Sequence, residues 1–314
     1  MIDGEDLELF ERGLRNAAEQ HTGEALDAAV AELGWRDALS FDTRAAVSTL
    51  FELQGEAGAA SSALDHVVAF AIGRELDGST SVVLPAVGRC EAPGLLEQDR
   101  VAVRGLATAI RPSTMVVAGA ADGQFVAFVE TSALELRPVR GMDPWLGLVE
   151  VQGEVGVDHM QPVDWAGAVA LGQLAVAHEL VGASRKALAL ARQHALERIQ
   201  FGQPIARFQA VRHRLAETLV ALETAIAVLD AAWLDRSPAT AAMAKATAGR
   251  SARTVARHCQ QVLAGIGFTT EHDLHRCVRR ILVLDQLFGS HTVLTKRLGE
   301  DLLTTRTLPR LLPL

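Results

Sequence analysis

Leu196-Glu197-Arg198-Ile199-Gln200-Phe201-Gly202-Gln203-Pro204-Ile205, followed closely by Phe208-Gln209-Ala210-Val211, is the stretch on which the fold turns. It separates two long segments rich in alanine and leucine. Upstream, Asp164 is placed to cap a helix running to about Glu197; downstream, Pro204 is read as opening a second helix to about Leu234. Ser237-Pro238 then starts a third, since serine suits the N-cap and proline the first helical position. Gly265 and Gly267 are read as ending it, with further helices around Asp273 to Leu287 and Thr292 to Leu303. Helices of this length, densely spaced and alanine-rich, predict a closely packed bundle.

Toward the N-terminus the period changes. In 80–155, short β-branched runs such as Ser81-Val82-Val83-Leu84, Met115-Val116-Val117-Ala118 and Phe125-Val126-Ala127-Phe128-Val129 are separated by Gly, Pro and Asp, which reads as a small β domain. Before it, from Asp6 to about Gly73, apolar residues recur every three or four positions, as in Leu7, Leu9, Phe10, Leu14 and in Ala46, Val47, Leu50, Phe51, Leu53, so several helices are expected. The fold class is therefore mainly α with a small β domain: N-terminal helices (1–75), a reduced β domain (76–158) and a C-terminal four-helix-type bundle (159–314).

The 314 residues are 49% hydrophobic, ample for a core. A net charge of -8 without a dense Lys/Arg run argues against nucleic acid as the main partner, because phosphate backbones need a concentrated positive surface. Cys90, Cys259 and Cys277 are too few and scattered for a disulfide framework. The acidic start (Asp3, Glu5, Asp6, Glu8, Glu11) lacks the features of a secretory signal, and no stretch reads as membrane-spanning, so a cytoplasmic protein is expected.

The Leu196–Ile205 stretch, with Phe208-Gln209-Ala210-Val211 after it, resembles the turn between the first two C-terminal helices of acyl-CoA dehydrogenases. A second resemblance follows in order: Gln261-Val262-Leu263-Ala264-Gly265-Ile266-Gly267-Phe268-Thr269, then Glu271 to Arg276 and Arg279-Arg280, with Ala264 where a glycine is usual. The resemblance covers about Asp164 to Leu303 firmly, the N-terminal helices loosely and the middle region poorly. It implies an acyl-CoA dehydrogenase-like fold and α,β-desaturation of an acyl-CoA, in which a carboxylate removes the α proton and FAD accepts the β hydrogen as hydride. It also implies that Arg198 reaches an FAD pyrophosphate across a subunit interface, where a guanidinium offers forked donors. Phe201, Gln261, Gly265 and Gly267 complete the FAD contacts it implies.

The same resemblance exposes losses. The family's base lies either on a Tyr-Glu-Gly-Thr-like segment, here Leu287-Phe288-Gly289-Ser290, or on the first bundle helix about ten residues before Gly182. Phe288 and Gly172 stand at those two places, and neither side chain accepts a proton. Glu179 lies about 10 Å along the helix from Gly172, too far to substitute; Asp285 is the weak alternative base. No Trp-Ile-Thr-like ring-binding strand occurs between Gly73 and Gly153, where the tryptophan is Trp145.

Steroid-degrading actinobacteria contain heteromeric acyl-CoA dehydrogenases pairing a complete subunit with a shortened one, and this chain is similar to the shortened, non-catalytic β-type subunit. The implied assembly is α2β2, with FAD shared with a full-length partner subunit that supplies the base, and a steroid-derived CoA thioester as substrate. The rival readings are a homomeric dehydrogenase using Asp285 and a purely structural scaffold subunit. His272, His275 and Cys277 make no convincing metal site beside Arg276, Arg279 and Arg280, and no metal is expected; Arg279 and Arg280 are read as a solvated or interfacial face. No Gly-x-Ser-x-Gly elbow supports hydrolase chemistry.

Overall fold

The computed structural model describes residues 4–157 and 159–306, with side chains from Glu8 onward. Asp3, Glu5, Asp6 and Leu7 of the N-terminal reading fall outside that side-chain description. Five helices open the chain: α1 (Gly4–Gln20), α2 (Glu24–Glu32), α3 (Trp35–Phe41), α4 (Thr43–Ala57) and α5 (Ala63–Ala71). Asp42 caps α4 by accepting a hydrogen bond from the Ala45 N–H, and Gly58 closes it in the left-handed conformation.

The expected strands follow as one twisted sheet: β1 (Thr80–Val82), β2 (Leu84–Pro85), β3 (Gly94–Glu97), β4 (Arg100–Ala107), β5 (Ser113–Ala120), β6 (Gly123–Glu130), β7 (Glu135–Pro138), β8 (Val149–Gly156) and β9 (Gln161–Pro162). Its order is β7-β8-β4-β3-β5-β6-β9, with β1 parallel to β5 and β2 antiparallel to β4. One face carries its own apolar cluster around Val83, Val101, Val116 and Val151, while Val82, Leu84, Met115 and Val117 join the core shared with the helices.

Asp65 of α5 ties helix to sheet, accepting from the Thr108 hydroxyl (2.6 Å) and the Val82 N–H (3.3 Å). Burial pushes its carboxyl up to about 7 from 3.8. The fold therefore holds this proton to higher pH than the unfolded chain does, and the stability the group contributes is lost as pH rises from 3.8 to about 7. Asp65→Asn, which cannot ionise, is expected to lose less stability than the wild type across that window in urea unfolding; parallel curves would refute the assignment.

The second helical region comprises α6 (Trp165–Glu197), α7 (Gln209–Ala232), α8 (Pro238–Leu263), α9 (Leu274–Leu284) and α10 (His291–Thr305). Asp164 caps α6 through the Gly167 N–H, and Ser237 caps α8 with Pro238 at the first position, as the sequence predicts. α6 is apolar and long enough to cross a membrane by composition, but its most apolar window is 78% buried within the fold. It crosses α4 so closely that a Cβ at Gly182 would overlap the backbone of Glu52, and one at Gly55 the backbone of Glu179. Beside the crossing, His178 bonds the Glu52 carboxylate through Nδ1 (2.8 Å) and accepts the Trp233 indole N–H at Nε2 (2.9 Å). The ring thus links α4, α6 and the end of α7.

Three boundaries differ from expectation. Pro204 does not open a helix: Ile199–Gln200 (β10) and Gln203–Pro204 (β11) form a two-stranded hairpin, a short 3-10 turn follows, and α7 begins at Gln209. α8 ends at Leu263, before the glycines, with a 3-10 turn over Ala264–Phe268. α9 stops at Leu284, leaving 285–290 as a turn.

Candidate functional site

The two positions where the resemblance expects a base meet in space. The Phe288 ring lies on Gly172, so close that a Cβ at Gly172 would stand 2.8 Å from the ring carbons. Phe288 is 1% exposed and sits at φ +53°, a conformation costly for a bulky residue, so the surroundings must hold it there. They do so through the turn's carbonyls: Gln173 Nε2 donates to Phe288 O (3.1 Å), and Lys245 Nζ donates to Asp285 O (3.1 Å) and Gly289 O (3.3 Å). Lys245 is fully buried, and burial draws its ammonium down to about 8. Nothing in the sequence pattern of α8 marked it, since its acceptors lie 40 and 44 residues away. The space between Gly172 and Phe288 is filled and apolar.

Asp285 lies one turn before Phe288 and is 0% exposed. Its carboxylate accepts from the His291 N–H (3.1 Å) and from Arg253 (3.3 Å), and pairs with His291 Nδ1 at 2.8 Å. Both oxygens are committed to holding the start of α10, an arrangement that leaves no lone pair aimed at a substrate. Glu179 is likewise engaged: Arg280 donates to it (2.9 Å), to Asp143 (2.6 Å) and to the Gly58 and Ala59 carbonyls. Arg280 is therefore a buried crosslink between the two helical regions, not part of a solvated face. Burial pushes the Glu179 carboxyl up, opposed by the Arg280 charge.

The residues assigned to FAD contact are elsewhere. Because α6, α7 and α8 run alternately up and down, the ends of α6 and α8 share one end of the bundle, where the His194 and His272 rings meet edge to face at 6.2 Å. Arg198 follows α6 there, exposed, with no side-chain partner among the described residues. It stands 26 residues beyond Gly172, about 39 Å along the helix axis. Phe201 and Gly202 form the two-residue tip of the β10–β11 hairpin, both with positive φ (+53° and +76°). Phe201 is 92% exposed, touching Phe208 edge to face at 6.1 Å. Strained and almost fully solvated, Phe201 has that edge contact with Phe208 as its ring contact among the described residues.

Gln261 is exposed on the last turn of α8. Gly265 has open space around it, whereas a Cβ at Gly267 would come within 2.9 Å of Gln260 O and Leu263 Cβ. Gly267 is thus required by packing and Gly265 leaves backbone accessible. Ala264 adopts φ +53° at the usual glycine position, and Phe268 is 71% exposed beside it. This end fits the phosphate and adenosine part of FAD: an unpaired guanidinium, accessible backbone and exposed aromatic surface. At the other end, Gly172 and Phe288 themselves bring no proton-accepting side chain.

Residues 166–303 match the profile of the family described as acyl-CoA dehydrogenase, C-terminal domain. The chain is 33% identical over 187 residues to acyl-CoA dehydrogenase IpdE2 of Mycobacterium tuberculosis, covering 59% of this chain and 57% of that protein. To acyl-CoA dehydrogenase IpdE2 of Mycolicibacterium smegmatis it is 28% identical over 317 residues, covering 95% of this chain and 99% of that one. Its fold is that of the Mycobacterium tuberculosis ChsE4-ChsE5 complex, with TM-score 0.78 and 18% identity over 98% of this chain and 99% of that chain. With both turn motifs in order on this bundle, and the profile match running through them, residues 166–303 form a C-terminal domain of the acyl-CoA dehydrogenase family.

Proposed function

We propose that this chain is the non-catalytic subunit of a heteromeric, FAD-dependent acyl-CoA dehydrogenase that desaturates a steroid-derived CoA thioester in the cytoplasm. A full-length partner subunit supplies the base and holds most of the FAD. The observation that carries the reading is the Phe288 ring packed on Gly172, which fills both base positions with apolar groups, while the flavin-contact motif stands open about 39 Å away. Residues that far apart cannot serve one active site within the chain, but an exposed motif can complete a site on a neighbour.

In that arrangement Arg198 neutralises phosphate charge with forked N–H donors, and the accessible backbone around Gly265 offers further donors. Gln261 adds a polar contact, and Phe201 covers the cofactor edge against water. FAD, when bound, supplies the hydride acceptor. The heteromeric complex named for the ChsE4-ChsE5 structure, and the steroid acyl-CoA dehydrogenase named for a second neighbour of the same fold (TM-score 0.76, 20% identity), support the substrate class and the partner.

Arg198→Ala, in a complex co-expressed with its dehydrogenase partner, is expected to weaken FAD retention by about tenfold or more, the loss of one charge-assisted contact to phosphate. Flavin absorbance after dialysis reads this directly. Unchanged FAD content would leave the chain as a scaffold.

A further inference from the structure

A cleft of about 800 Å³ opens between the C-terminal ends of α1 and α4, the middle of α6 and the start of α9. It lies away from both places already described: Lys186 on its wall is 14 residues beyond Gly172, about 21 Å along α6, and 12 residues short of Arg198. The volume is in the range of small-molecule sites, roughly 300–1,000 Å³.

Its floor is fixed by Arg280, whose ion pairs with Asp143 and Glu179 and bonds to the Gly58 and Ala59 carbonyls engage four of its five N–H donors. The walls are different. Lys186 is exposed and, among the described residues, has no carboxylate within ion-pair reach. Arg276 reaches only Asp273, at 3.9 Å, and lies over the Trp145 ring, 5.6 Å from its centroid. Arg279 flanks the same ring at 5.7 Å, which holds the indole in place. The Trp145 N–H has no acceptor among the described residues, and the side chain is 48% exposed. Against these donors, Glu19 is the one lining carboxylate without a cation among the described residues, since Glu56 pairs with Arg15 and Asp143 with Arg280. Between the polar groups the lining is apolar, with Leu53, Ala59, Leu190 and Cys277.

We propose that this cleft binds a small organic carboxylate carried on an apolar body, its anionic end held by Lys186 and Arg276 beside the Trp145 N–H and its apolar part against Leu53 and Leu190. Surplus donors on the walls select an anion, and the aliphatic lining selects what the anion is attached to. This rests on the cleft alone and stands independently of the flavin assignment.

The test is calorimetric titration of the full chain with octanoate, alongside octanol and inorganic phosphate. Octanoate is expected to bind saturably and quench tryptophan emission, a signal lost in Trp145→Phe because Trp35, Trp165 and Trp233 are buried. Octanol and phosphate are each expected to bind about tenfold more weakly or worse, as is octanoate to Lys186→Gln, whose exposed position leaves the fold intact. Equal binding of octanol would reduce the cleft to an apolar hollow, and equal binding of phosphate to a charged one. Either result, or an unaffected Lys186→Gln, overturns the proposal.

Discussion

Phe288→Ala is expected to cost about 3–5 kcal/mol of stability, the usual loss for deleting a fully buried aromatic ring. The ring's neighbours cannot collapse onto the vacated space, because the turn backbone is pinned by Gln173 and Lys245. Alanine also keeps the positive φ without the ring packing that compensates for it. The partner half of the contact makes the prediction sharper. Gly172→Ala alone pushes a methyl group into the ring at 2.8 Å and is expected to cost about 1–3 kcal/mol. In the Phe288→Ala background the same change enters empty space and costs close to nothing. Urea unfolding of the four proteins measures the coupling; additive losses would mean that ring and glycine are not in contact.

Arg280→Met is expected to lose a comparable amount, about 3–5 kcal/mol, because it leaves the buried Asp143 and Glu179 carboxylates without their cation. Methionine retains much of the aliphatic volume, so the loss is one of charge compensation. Adding Glu179→Gln to Arg280→Met removes one stranded charge and is expected to recover part of the stability. Burial already pushes the Glu179 carboxyl up while Arg280 holds it down, so in the single variant Glu179 should keep its proton to higher pH than in the wild type, and the variant should lose stability as pH rises. A single variant as stable as the wild type, or no recovery in the double, would contradict the assigned role of the crosslink.

What the sequence made legible was local. Asp164 and Ser237-Pro238 announce helix starts because capping is settled within four residues, and the β-branched runs announce strands because a short apolar run bounded by turn residues is itself local. Pro204 misled because a two-residue ladder is too short to produce a period, so the hairpin that presents Phe201 was invisible while the helix-start meaning of proline was not. The left-handed conformation of Phe201 and Phe288 could not be foreseen from residues that avoid it. Long-range contacts were the remaining blind spot. Arg280 sits in a run of basic residues that reads as a wet face, yet its partners lie 101 and 137 residues away and bury it. Gly172 and Phe288 were each identified through the family resemblance, but their contact across the bundle is a fact of packing.

On the function proposed above, this chain completes a flavin site on another subunit and has none of its own. The visible spectrum of the purified chain, alone and co-expressed with a complete acyl-CoA dehydrogenase partner, counts FAD per protein in each case. The expected result is a colourless chain alone and a stable yellow complex whose absorbance bleaches with substrate. A chain that is yellow and substrate-bleachable by itself would contradict it.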